Sequence, residues 1–150
     1  MAENRFHFDD VKVGDEWTSL SRTITEADIV NFAGISGDFN PLHMDEEFAK
    51  NRTNFKKRIA HGLLGLAIQS GLGASYPAMA TVAFLGIKEW NFKGPIFIGD
   101  TITLKNKVED KRLTSKGDRG IISWRKQVVN QRGEIVQDGL TMTMVEVNKG

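Results

Sequence analysis

The chain of 150 residues contains no cysteine, which excludes disulfides, thiolate nucleophiles and thiolate metal sites. Its three histidines stand at no helical ligand spacing to one another, so no metal is expected. No apolar run approaches the roughly 18 residues that would suggest a membrane span. The opening Met1-Ala2-Glu3-Asn4-Arg5 leads into charged sequence without an apolar signal core, so a cytoplasmic chain that spans no membrane is expected. Charge of one sign is also missing. Twenty Lys and Arg oppose 19 Asp and Glu for a net +1, which implies no general attraction to nucleic acid or anionic membrane. No linker, repeat or low-complexity stretch interrupts the sequence, and one domain over 1–150 is expected.

What is present reads as strand, helices, then strands. Asp15 to Ile24 reads as a first strand with Trp17 and Leu20 in the core. Thr25 and Asp28 open a helix carrying Ile29, Val30, Phe32 and Ala33, which stops over Gly34 to Gly37. Asp45 opens a second, short helix. The main helix is Gly62 to Ala74, apolar almost all round and therefore expected to be buried. Gly65, Gly71 and Gly73 each cost it roughly 1 kcal/mol against alanine, which suggests that something approaches its backbone closely, either a sheet or a bound chain. From Thr81 onward the hydrophobic period becomes two. Four strands are expected in a meander, with turns at Thr114 to Asp118 and Asn130 to Gly133. The last strand, Ile135 to Val147, should carry Val136, Leu140, Met142 and Met144 on one face. The class is α+β, an antiparallel sheet around a central helix.

Chemistry concentrates in Gly37-Asp38-Phe39-Asn40-Pro41-Leu42-His43 and in Ala60-His61-Gly62. Asp38 and His43 stand five residues apart on a Gly/Asn/Pro loop. A carboxylate and an imidazole holding one water can remove a proton and deliver one, which is worth about 10²–10⁴-fold. The plainer alternative is that Asp38 caps a turn while His43 is a packed, satisfied histidine. Asn40 could contact substrate, although asparagine before proline commonly bonds its own backbone. Gly62 opens the helix, where its N–H could stabilise charge growing on a carbonyl oxygen. His61 reads as a helix-entry residue bonded to backbone. Ser70, eight residues after Gly62 on a similar helix face, could orient the pair or bond the preceding turn. Lys56, Lys57 and Arg58 could meet phosphates, or form an ordinary solvated charge run.

These motifs, with Gly99-Asp100-Thr101 before a long strand, resemble the MaoC-like, or (R)-specific enoyl-CoA hydratase, branch of the hotdog superfamily. The resemblance spans Asp15 to about Val147. It implies a hotdog fold and a homodimer or higher homo-oligomer. It also implies reversible hydration of trans-2-enoyl thioesters, with Asp38 and His43 as the catalytic pair. Coenzyme A or acyl-carrier protein would enter only as part of the substrate, with no separate cofactor. Two other readings stay open: an acyl-thioesterase on the same fold, and a non-catalytic acyl-binding hotdog subunit.

Overall fold

The computed structural model describes residues 5–148. Helix α1 (Glu26–Ser36) begins as the sequence predicts. The Thr25 hydroxyl accepts the Asp28 N–H, and the Asp28 carboxylate accepts the Thr25 N–H at 2.9 Å. Gly37, at φ +76°, ends it by donating to the Ala33 carbonyl at 2.8 Å, a left-handed position that glycine takes without strain. Asn40 caps a short turn of helix, α2 (Pro41–Met44), and Asp45 caps α3 (Glu46–Arg52). Helix α4 runs over the predicted Gly62–Ala74.

The expected first strand is instead two pieces. Strands β1 (Glu16–Thr18) and β2 (Arg22–Thr23) both lie antiparallel on β4 (Thr101–Leu113). Between them the Ser19 hydroxyl accepts the Leu104 N–H at 2.9 Å, so a side chain interrupts the ladder. Leu20, expected in the core, is 67% exposed. The remaining strands are β3 (Thr81–Phe92), β5 (Arg119–Val129) and β6 (Ile135–Glu146). The sheet order is β1-β4-β5-β6-β3, so the meander holds only for β4 to β6. Strand β3 closes the far edge beside β6 instead of pairing with β4.

This antiparallel sheet curls around α4 in the hotdog arrangement. One apolar cluster joins Ile29 of α1, Leu64 and Ile68 of α4, and Ile102, Leu104 and Val128 of the sheet. A second packs Phe8, Val11 and Met79 over Val108, Ile122, Trp124 and Val145. Burying each such side chain contributes about 1.5–3 kcal/mol.

Two expectations about facing are corrected. Helix α4 is buried on one face only: Leu64, Gly65, Ile68 and Gln69 are enclosed while Leu63 is 59% exposed. On β6 a register shift beside Val128 and Val129 tucks Val136 into the core. Beyond it Gln137, Gly139, Thr141 and Val145 are the buried set, and Leu140, Met142 and Met144 are the half-buried alternates. A bulge changes which parity faces inward. The glycines of α4 meet the sheet: a Cβ on Gly65 would strike the Gln137 amide, and one on Gly73 would lie 2.8 Å from Lys126 Nζ. Gly71 meets nothing.

Candidate active site

The turn after α1 organises Asp38 and His43 by local hydrogen bonds. Asp38 Oδ1 accepts the Asn40 N–H at 3.1 Å, and Asn40 Oδ1 accepts the Leu42 N–H at 3.0 Å. Asn40 therefore caps its own backbone, and the Asp38 side chain stays exposed. Pro41 at the first position of α2 fixes φ where no N–H is needed. His43 follows within the same turn and is buried, with Nδ1 2.7 Å from the Ile59 carbonyl. A carbonyl can only accept, so Nδ1 carries the proton and Nε2 presents a lone pair.

His61 sits at the head of α4. Its Nε2 donates to the Asp38 backbone carbonyl at 2.9 Å, the backbone bond expected of it. The fold adds a contact the spacing did not suggest. His61 stacks on His43 with ring centroids 3.9 Å apart, and Phe32 tilts against its other side at 5.0 Å. His61 Nδ1 is buried without a partner among the described residues. Ligand atoms of Asp38, His43 and His61 all lie within 4.8 Å of one another. The objection to a metal from sequence spacing thus falls on geometry, because two elements supply the histidines. These three residues could hold a cation or a single water.

Gly62 is the first residue of α4. The His61 carbonyl accepts the Leu64 and Gly65 N–H groups at 3.0 and 3.3 Å. The Gly62 and Leu63 N–H groups therefore head the helix before its first internal bond, at the positive end of its dipole. The Gly62 carbonyl accepts Gln137 Nε2 at 2.9 Å, and Gln137 Oε1 accepts the Trp90 indole N–H at 3.1 Å. That chain of bonds anchors the helix start to the sheet. His43 and Gly62 share a cavity of about 450 Å³ with Leu42, Ile59, Phe92 and Gln137. A larger cavity of about 1030 Å³ opens along α4 and is lined by Leu63, Leu66, Ser70, Phe84, Ile87 and Lys126 among others.

The remaining candidates are placed less favourably. The Ser70 hydroxyl donates to the Ala67 carbonyl at 2.6 Å, a helix back-bond, and lines the larger cavity. Lys56 and Lys57 are exposed. Arg58 is held by Glu26 at 2.5 Å and Glu46 at 2.6 Å, so it serves the fold, and a phosphate would have to displace two carboxylates. Asp100 is buried and structural: it accepts the Phe97 N–H at 2.9 Å and Gln131 Nε2 at 2.8 Å, with Arg132 nearby. Burial works to raise its carboxyl, but those donors outweigh it and hold it below the ordinary carboxylate range. Lys126 was not singled out from sequence. Its signal was there, in the inward parity of Ile122, Trp124 and Val128 along β5.

Comparison with known proteins gives this geometry its context. The chain is 39% identical over 140 residues to the 3-hydroxybutyryl-CoA dehydratase of Methylorubrum extorquens, covering 93% of this chain and 83% of that one. It is 43% identical over 98 residues to the (R)-specific enoyl-CoA hydratase of Rhodospirillum rubrum, covering 65% of each chain. A crystal structure described as a monoamine oxidase regulatory protein from Archaeoglobus fulgius superposes with a TM-score of 0.90 at 38% identity, over 99% of both chains. Residues 11–129, which hold the Asp38–His43 turn, the His61–Gly62 helix start and most of the enclosing sheet, match the family model of the MaoC like domain. By that match and these identities, the chain belongs to the MaoC-like domain family.

Proposed function

We propose that this chain is an (R)-specific hydratase of trans-2-enoyl thioesters, running reversibly as a 3-hydroxyacyl dehydratase. The observation that carries the reading is the fixed tautomer of His43 beside Asp38: with Nδ1–H committed to the Ile59 carbonyl, Nε2 is left as a base. Asp38 and His43 would hold one water. His43 Nε2 takes a proton as the water oxygen bonds C3. The C2=C3 π pair moves into the C1–C2 bond and the carbonyl π pair onto the thioester oxygen, giving an enolate. That oxyanion is met by the Gly62 N–H, where the helix dipole favours negative charge. A proton returned from the dyad to C2 completes the addition of water and restores His43. The relatives named for enoyl-CoA hydration and 3-hydroxybutyryl-CoA dehydration support the reaction class.

The acyl group would run along α4 in the larger cavity, whose near lining includes Leu63 and Phe32, the latter against His61. The working unit is a homodimer or a larger homo-oligomer. Strand β3 is twelve residues long and pairs only with β6 among the described strands. It exposes Val82, Phe84, Leu85 and Ile87, and soluble proteins rarely leave so apolar an edge uncovered. Loss of enoyl absorbance without release of free thiol, on coenzyme A and carrier-protein thioesters, is the expected result. Thiol release without hydration would instead establish a thioesterase. Tight acyl-thioester binding with neither reaction would establish a binding subunit.

A further inference from the structure

The floor of the larger cavity is polar, which an ordinary alkyl chain does not require. Strand pairing aligns Asn106 of β4, Lys126 of β5 and Gly139 of β6 in one row across the concave face. Thr141 is the next inward residue on β6, and Gln69 reaches down from α4. Lys126 is 9% exposed, Asn106 4%, Gln69 3% and Thr141 1%. Gln69 Oε1, Asn106 Oδ1 and Thr141 Oγ1 have no hydrogen-bond partner among the described residues. No hydrogen bond or ion pair joins Lys126 to another described residue. The Asn106 amide nitrogen is spent on the Tyr76 carbonyl at 3.2 Å, but its oxygen, the Gln69 oxygen, the Thr141 hydroxyl and the Lys126 amine, all on side chains at least nine-tenths buried, line one cavity without a partner among the described residues.

Such groups are costly to bury unless something satisfies them. The backbone has made room for this arrangement. Gly73 leaves the space that Lys126 Nζ occupies, since a Cβ there would also lie 3.0 Å from Leu104 Cδ2. Among the described residues, the other cation on the lining is Arg5, which is exposed, and no carboxylate lines the cavity. Burial alone pushes the Lys126 amine down to about 8, which leaves it mostly charged at neutral pH. A charged amine there, with no counter-ion among the described residues, favours an anionic occupant.

We propose that Lys126, with Thr141, Gln69 and Asn106, binds a carboxylate carried at the far end of the acyl group, so that the preferred substrates are ω-carboxy enoyl thioesters. Lys126 pairs with the carboxylate and spends another proton on Asn106 Oδ1. The Thr141 hydroxyl donates to the carboxylate, and the Gln69 amide turns its NH₂ toward it. Gly62 and Gly73 are eleven residues apart on α4, about 16 Å at 1.5 Å per residue. The carboxylate must therefore stand well beyond the reacting carbons, at the end of a medium or long chain. This inference rests on the hydratase reading.

The test uses matched trans-2-enoyl-CoA pairs of equal length, ending in methyl or in carboxylate, together with the four-carbon crotonyl-CoA. At some chain length the wild type should favour the carboxyl-ended member by at least tenfold in kcat/KM. Lys126→Met should reverse that ratio, raising the methyl-ended rate, and Thr141→Val should reduce it severalfold. Calorimetry with the saturated methyl-ended and carboxyl-ended acyl-CoAs should show the same preference in Kd without turnover. If Lys126→Met fails to fold, the wild-type ratio and Thr141→Val decide. Hydration of crotonyl-CoA with ratios within twofold at every length, or ratios that neither variant shifts, overturns the inference alone. No hydration of any substrate overturns the hydratase reading, and the calorimetric preference then stands or falls by itself.

Discussion

The two ends of α4 treat their polar groups in opposite ways. At the Gly62 end, local bonds are spent on holding position: His43 on the Ile59 carbonyl, His61 on the Asp38 carbonyl, and Gln137 on both Gly62 and Trp90. What remains over is a pair of ring nitrogens and an exposed carboxylate. At the Gly73 end, an amine, two amide oxygens and a hydroxyl are enclosed with no such anchoring. The contrast separates two uses of a buried polar group. A satisfied one fixes geometry for chemistry, while an unsatisfied one stores a demand that a ligand can meet.

The comparison breaks hardest at the dyad. Asp38→Asn should lower kcat/KM by about 10²–10⁴-fold in the enoyl-absorbance assay, with little change in thermal midpoint because Asp38 is exposed. His43→Gln should lose comparable activity. His43→Ala should also cost about 1–3 kcal/mol of stability, since it leaves the buried Ile59 carbonyl without its donor. The double variant should lose far less than the product of the single losses, because residues acting as a unit are not additive. Near-wild-type turnover in any of them would remove the assignment.

The next effect concerns the helix head. A Cβ on Gly62 would come within 2.8 Å of the Phe92 ring, so a simple substitution mixes crowding with loss of the donor. In a Phe92→Ala background, Gly62→Pro removes the N–H at a position where proline is sterically tolerated. It should cost about 3–4 kcal/mol of transition-state stabilisation, read chiefly as kcat. If that variant folds and keeps its kcat, the Leu63 N–H becomes the donor to test.

Lys126 gives a pH signature of its own. Its folded value of about 8 lies below the ordinary lysine value of 10.5. Between those values the unfolded chain binds the extra proton, so the free protein should gain stability as pH rises from about 8 to about 10.5. The full shift is worth about 3 kcal/mol. Urea unfolding at several pH values should show this gain in wild type and its loss in Lys126→Met. A gain that persists in the variant would assign it to other groups.

The smallest expected effect is at the basic run. Arg58→Ala should change stability by no more than about 1 kcal/mol, since its ion pairs with Glu26 and Glu46 lie near the surface. It should leave KM for coenzyme A thioesters unchanged. Lys56→Ala with Lys57→Ala should raise that KM if the exposed lysines meet phosphate. A raised KM in Arg58→Ala would show that the carboxylates do release it.

Much of this was legible before the fold. The bounds of α4 and β5, the Thr25 cap and the turns at Thr114 and Asn130 follow from local chemistry that tertiary contacts did not overturn. The inward face of β6 was not legible, because a register shift beside Val129 changes which parity meets the core. Nor was the break at Ser19, where a hydroxyl substitutes for a strand bond. At the proposed site, motif and chain order single out Asp38, His43 and Gly62, whose roles the variants above test. The His43–His61 stack was not legible, because it joins residues eighteen positions apart through two different elements. Lys126 was hidden for a different reason: a single lysine in an alternating strand reads as a solvent-facing residue until its parity is compared with its neighbours.

In the proposed homo-oligomer, the bonds from Gln137 to both Trp90 and Gly62 would link the subunit edge to the rate of the proposed reaction. Trp90 belongs to β3, the strand left open to a second copy, and Gln137 carries its position straight to the start of α4. A neighbouring chain that clamped β3 would also steady the donors at the helix head through this chain of bonds. Specific activity should therefore fall on dilution below the dissociation constant of the oligomer, through kcat before KM. Gln137→Leu should weaken that dependence by uncoupling the edge from the helix.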